Sequence, residues 1–129
     1  MMKSVLVISL GASIGAVSRW VLGNLCNGAF VFIPLGTLLA NLIGGFFMGV
    51  VFSLFSLFPS IAPEWRLFIV TGFLGALTTF STFSLEVWEL FQQQKFFWAV
   101  ALMGMHLFGS LVALGCGAYL THFCLKQVS

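Results

Sequence analysis

Gly72-Phe73-Leu74-Gly75-Ala76-Leu77-Thr78-Thr79-Phe80-Ser81-Thr82-Phe83-Ser84 lies inside a long apolar segment, yet it is crowded with glycine and hydroxyl side chains. Glycine is permissive in φ/ψ and a poor helix former, so Gly75 favours a break in the helix. In lipid every main-chain N–H and C=O must find a partner, and a break at membrane depth is tolerated only where it is buried in protein or faces water. Such a break frees carbonyls able to hold a cation. The Thr and Ser hydroxyls that follow can satisfy other freed groups. Phe80 and Phe83 are three residues apart and share one face of the resumed helix. Broken helix, hydroxyls and paired aromatics together point to an ion site. Glycine-mediated packing of one membrane helix on another is the structural alternative, and this stretch alone leaves both open.

The surrounding chain sets this stretch in a membrane. It has 129 residues, 60% hydrophobic and 6% charged. A soluble domain carries about 25% charged residues, so this composition does not cover a water-facing surface. The fold class is therefore all-α membrane protein. The net charge of +2 rests on too few charges to indicate nucleic acid or an acidic substrate. Cys26, Cys116 and Cys124 form no CxxC pair and have no His partner at metal spacing, so they read as small apolar residues. Residues 1–16, with Lys3 near the start, imitate a signal peptide. The remainder is equally apolar and no soluble domain follows, so a first transmembrane helix is the better reading.

A helix needs about 20 apolar residues to cross a bilayer. Four stretches qualify: roughly 4–22, 35–58, 65–91 with its break, and 96–123. Asn27-Gly28 and Pro34, then Pro59 and Pro63, then Gln92 to Lys95 mark the loops between them, and a short polar tail closes the chain. Residues 1–129 form one transmembrane domain with nothing left over for a soluble one. Four helices enclose little space, so function calls for an oligomer. Four spans put both termini on one side with Lys3, Arg66 and Lys126, against Arg19 and Lys95 on the other. Orientation follows Lys/Arg bias. Three against two is nearly no bias, which admits insertion both ways round and an antiparallel homodimer, as well as one ordinary orientation.

Polar residues inside spans are costly and are functional candidates by default. Gly11 and Gly15, and Gly45 and Gly49, form GxxxG patterns for which close helix packing is sufficient explanation. Arg19 either snorkels to the headgroups or forms an electropositive vestibule for anions. Thr37 and Asn41 share a face, and Asn41 is either interhelical glue or an anion ligand. Glu86 lies one turn beyond Phe83, an awkward place for a carboxylate in an anion path. His106 and Ser110 share a face of the last helix, and no carboxylate or thiol stands at helical spacing from His106 to make a catalytic pair. The deep side chains Asn41, Thr78, Thr79, Ser81, Thr82 and Ser110 are neutral donors, which suits a small anion held weakly enough to leave. Aromatic edges carry partial positive charge, so Phe80 and Phe83 can meet an anion edge-on, although aromatic packing is the commoner use.

Three motifs now converge: Gly11-Ala-Ser-Ile-Gly-Ala-Val-Ser-Arg19-Trp20, Gly36-Thr37-Leu-Leu-Ala-Asn41-Leu-Ile-Gly44, and Gly72 through Ser84 to Glu86. In this order and at these separations the chain resembles the Fluc (CrcB) fluoride channels over essentially its whole length. The resemblance implies an antiparallel dual-topology homodimer of four-helix subunits. It implies passive, fluoride-selective export through two pores along the dimer interface. It makes Asn41 a pore-lining ligand and Phe80 and Phe83 an aromatic box. It places Ser110 on a polar track, with His106 at a position of variable chemistry. It gives Gly75 and Thr78 main-chain carbonyls to a structural sodium ion on the dimer axis. Leu114 stands where a further hydroxyl of the track is expected. Thr37, Ser81, Thr82 and Glu86 complete the expected pore, with Arg19 at the vestibule.

Two rival classes are distinguishable. A small multidrug transporter needs, by family resemblance, a membrane-embedded Glu in its first helix, and this chain has no carboxylate before Glu64. A non-transporting accessory subunit explains the glycines but not the hydroxyl and phenylalanine cluster. The short chain with no targeting segment suggests a bacterial inner membrane.

Overall fold

The structure is a computed structural model and describes residues 1–127. The last two residues of the expected polar tail lie outside the described residues. Four segments are long and apolar enough to cross a membrane. Helix α1 is Met2–Cys26, followed by a 3-10 turn at Asn27–Ala29, and α2 is Leu35–Leu57. The third segment is composite: α3 at Pro63–Arg66, a π-helical stretch at Leu67–Leu74, α4 at Gly75–Leu77, and α5 at Ser81–Gln92. Helix α6 is Phe96–Lys126. The expected all-α, four-span architecture stands. Helix α1 runs on past residue 22 because Gly23 and Asn24 do not stop it; Asn27 is its C-cap.

Local chemistry sets the ends. Pro34 precedes α2 in extended conformation, with ψ of 93°. Pro63 opens α3 at the helix start, where its missing N–H costs nothing. Between α5 and α6 the chain reverses at Gln94, which adopts φ of 58°, the left-handed conformation of a helix C-cap. Lys95 N–H then bonds Leu90 O at 2.9 Å and Gln94 N–H bonds Phe91 O at 3.0 Å, satisfying the last carbonyls of α5. The Lys95 ammonium rests 4.4 Å from the Phe32 ring centroid.

Glycine sets the close approaches, as the GxxxG spacing predicts. A methyl group at Gly11 or Gly15 of α1 would collide with Phe68 O or Phe73 O of the π-helical stretch. One at Gly49 of α2 would collide with Leu114 O, and one at Gly117 of α6 with Phe46 O. Two glycine seams therefore bring α1 against the third segment and α2 against α6. Two buried clusters fill the space between, one around Leu38, Leu90 and Leu102 and one around Ala40, Leu74 and Leu77. Outside these clusters large apolar side chains point outward, among them Leu10, Phe52, Phe108 and Leu111. In water such a surface would be untenable; in lipid it is the expected exterior. Trp20, Trp65, Trp88 and Trp98 all lie near the ends of their spans, where interfacial tryptophan belongs.

The break in the third segment lies slightly later than Gly75 suggests. Gly75 is helical, with φ of −63° and ψ of −33°. The chain departs at Thr78, whose ψ is 155°. The reason lies outside the segment. The helical ladder closes with Thr78 N–H to Leu74 O, and it resumes with Ser84 N–H to Phe80 O. Between them a side chain of α2 holds Thr79.

Candidate ion site

Asn41, on α2, bridges the break. The Thr79 amide can only donate, and it bonds Asn41 Oδ1 at 2.7 Å. The Asn41 Nδ2 group donates to Thr79 O at 3.0 Å. One side chain thus satisfies both main-chain groups of a residue that the helix leaves unpaired. Arg19 reaches from α1 and its Nε–H donates to Ala76 O at 3.0 Å, serving a carbonyl on the near side of the break. On the far side Thr82 N–H bonds Thr79 Oγ1 at 3.2 Å, in the manner of a helix N-cap. Helices α1 and α2 therefore converge on residues 76–79, and the chain's own Thr79 hydroxyl serves the far side.

The aromatic pair sits immediately beyond. Phe80 and Phe83 meet edge to face, with centroids 5.6 Å apart and an interplanar angle of 74°. Phe80 is 80% exposed, although it lies in the middle of a span. Phe83 is half-buried and stacks on His106 of α6 at 4.4 Å between centroids. His106 is buried and its Nδ1 lies 2.8 Å from Asn41 Nδ2. Asn41, Phe80, Phe83, His106 and Ser110 line one cavity of about 360 Å³, together with Thr78 and Thr79. Leu114 borders the same cavity, so the track passes from hydroxyl to leucine one turn past Ser110.

A second cavity, about 660 Å³, opens on the other side of the break and is markedly more polar. Arg19, Asn24, Asn27, Thr37 and Thr82 line it, and Thr79 borders both cavities. The Arg19 side chain is thus turned inward to the break and to this cavity rather than up to the headgroups. Thr37 is buried; its hydroxyl donates to Glu86 Oε1 and its amide donates to Asn27 Oδ1 at 3.1 Å. Glu86 Oε2 is buried with no hydrogen-bond partner among the described residues.

The structure gathers the expected residues into two adjoining groups. Asn41, Phe80, Phe83, His106 and Ser110 share the first cavity, while Arg19, Thr37 and Thr82 share the second. Glu86 joins the second group through Thr37. Ser81 is exposed at the start of α5, beside Thr79. Gly75 is exposed and lines neither cavity. Sequence reasoning missed two roles. It treated Thr79 as one hydroxyl among several, whereas its main chain is what Asn41 holds. It read Asn27 only as a loop residue, whereas Asn27 fixes the first turn of α2. Among the described residues no three His, Cys, Asp or Glu side chains gather to hold a metal ion.

Known proteins place this arrangement. The family model described as CrcB-like protein, Camphor Resistance (CrcB), matches residues 6–118. A relative from Tolumonas auensis is 57% identical over 112 residues, covering 87% of this chain and 88% of its own length. One from Pseudomonas putida is 50% identical over 123 residues, covering 95% of this chain and 97% of its own. One from Haemophilus influenzae is 47% identical over 128 residues, covering 99% and 100%. Each of the three is named fluoride-specific ion channel FluC. With four membrane spans, a bridged helix break and matches of this extent, the chain belongs to the CrcB family.

Proposed function

We propose that this chain is a fluoride-specific ion channel subunit, passing fluoride passively across the membrane. The observation that carries the reading is the edge-to-face pair Phe80 and Phe83, beside a helix break and in one cavity with Asn41 and Ser110. Fluoride is small and strongly hydrated. A pore that passes it must replace its hydration shell with donors without becoming a trap. Hydroxyls and ring edges meet both demands, since each is partially positive and none carries a full charge, while Asn41 holds the break that sets them in place. The cationic Arg19, at the polar cavity, raises the local concentration of anions. Thr79, bordering both cavities, lies on the way from one to the other.

The assembly is an antiparallel dual-topology homodimer in a bacterial inner membrane, with two pores along the interface. What supports this is the exposure of Phe80 and the weak Lys/Arg bias. A second copy would supply the missing wall beside Phe80. Sodium fits as a structural ion at the carbonyls of Gly75 and Thr78. The amide four residues after Gly75 is turned to Asn41, and the amide four residues after Thr78 is turned to Thr79 Oγ1. Both carbonyls therefore lack their helical partners and are the hard oxygen donors that a small cation takes. Bound there, sodium supplies a fixed positive charge between the pores.

Expression in a bacterium that lacks any route of fluoride export tests the reading in a living membrane. Growth on fluoride is restored if the chain is the channel. Unrestored growth, with the protein present in the membrane, contradicts it.

A further inference from the structure

Asn41 has one acceptor oxygen and two amide hydrogens. Its orientation here is fixed by chemistry. The Thr79 amide donates, so the atom facing it is Oδ1. Nδ2 then faces both Thr79 O and His106 Nδ1. An amide nitrogen offers only hydrogens, so His106 Nδ1 must accept. The imidazole proton consequently sits on Nε2. That nitrogen is buried with no hydrogen-bond partner among the described residues. Both Asn41 hydrogens are committed within the protein. The amide that bridges the break depends at its outer edge on a ring of α6, and the same ring stacks on Phe83.

We propose that His106 is a positioning residue: its Nδ1 accepts the second Asn41 hydrogen and so fixes the amide that holds Thr79 across the break. Without that acceptor Asn41 Nδ2 keeps one unpaired hydrogen and the amide is free to turn over. A turned amide sets its oxygen against Thr79 O and its hydrogens against the Thr79 amide, and the bridge is lost. In this account α6 acts on the break through Asn41, by a route separate from the Ser110 side of the cavity.

Two isosteric substitutions separate the ring nitrogens. His106→Asn keeps an acceptor where Nδ1 stood and loses Nε2. His106→Gln places its amide nitrogen where Nε2 stood and loses Nδ1. Both lose the stack on Phe83, so packing does not distinguish them. With flux as readout the test rests on the channel reading above. In liposomes holding the purified full chain, His106→Asn retains fluoride flux within about threefold of the unmodified protein, and His106→Gln and His106→Leu lower it about tenfold or more. Flux kept by His106→Gln and lost by His106→Asn overturns the proposal, as does equal loss or equal retention in all three.

A second measurement needs no flux. In a His122→Gln background His106 is the one histidine left. The ¹⁵N spectrum of the ring then shows a bare Nδ1 and a protonated Nε2, and Asn41→Leu releases it to mixed tautomers. A protonated Nδ1 beside an intact Asn41 overturns the proposal. An unmodified protein without fluoride flux but with the Nε2–H tautomer contradicts the channel reading and leaves the positioning role standing.

Discussion

Asn41 grips the main chain of Thr79 from both sides, accepting its amide at 2.7 Å and donating to its carbonyl at 3.0 Å. Asn41→Asp turns the donor into an oxygen that faces two acceptors, Thr79 O and His106 Nδ1, and adds a negative charge beside the proposed anion path. Two partly buried hydrogen bonds are disrupted, at roughly 1–3 kcal/mol each. Fluoride flux falls by about a hundredfold or more. Retained flux in this variant would show that Asn41 only packs.

The two phenylalanines separate by their surroundings. Phe80 is exposed in the subunit, whereas Phe83 stacks on His106. Both Phe80→Ile and Phe83→Ile weaken conduction with the protein still folded and in the membrane. Phe83→Ile also lowers the unfolding temperature, since an aromatic pair contributes about 0.5–1.5 kcal/mol beyond the area it buries. Unchanged flux in either variant removes that ring from the pore. Equal thermal stability of the two would deny the His106 stack its share.

Arg19 is an anchor as well as a charge. Its Nε–H holds Ala76 O and it borders the polar cavity. Arg19→Lys keeps the charge without the rigid fork of the guanidinium, and Arg19→Gln removes the charge as well. We expect flux in the order Arg, Lys, Gln. The gap between Lys and Gln shrinks as inert salt rises, because screening weakens anion attraction. A gap that is the same at low and high salt would leave the anchor alone as the role of Arg19.

Close helix approach is tested at Gly49, where an added methyl group meets Leu114 O. Gly49→Ala costs about 1–3 kcal/mol, because a main-chain carbonyl cannot swing aside as a side chain can. Gly115→Ala meets no atom within 4 Å among the described residues, so it is neutral or gains the better helix propensity of alanine. Unfolding of the two variants in detergent should shift in opposite senses or in one only. Equal shifts would place the close contact elsewhere.

Much of this molecule was legible because its physics is local. Apolar run length gave four spans, proline and Asn-Gly gave the loops, and GxxxG spacing gave both seams. The break was legible in kind and less so in place. Gly75 has the propensity to interrupt a helix, but the interruption falls where a partner exists to receive the freed groups, and Asn41 and Arg19 meet the chain at residues 76–79. Those partners are far away in sequence, so propensity at Gly75 carried no information about them. The π-helical turn over Leu67–Leu74 has no signal in the residue types, which are ordinary apolar membrane residues. The shared face of Thr37 and Asn41 was readable from spacing, whereas their separate partners, Glu86 and Thr79, depend on how three segments cross.

Fluoride efflux from liposomes containing the purified chain, with chloride efflux as the paired control, bears most directly on the account. Rapid electrogenic release of fluoride with little chloride is the result it predicts. A folded, dimeric protein that releases no fluoride, or that releases chloride as readily, would contradict it.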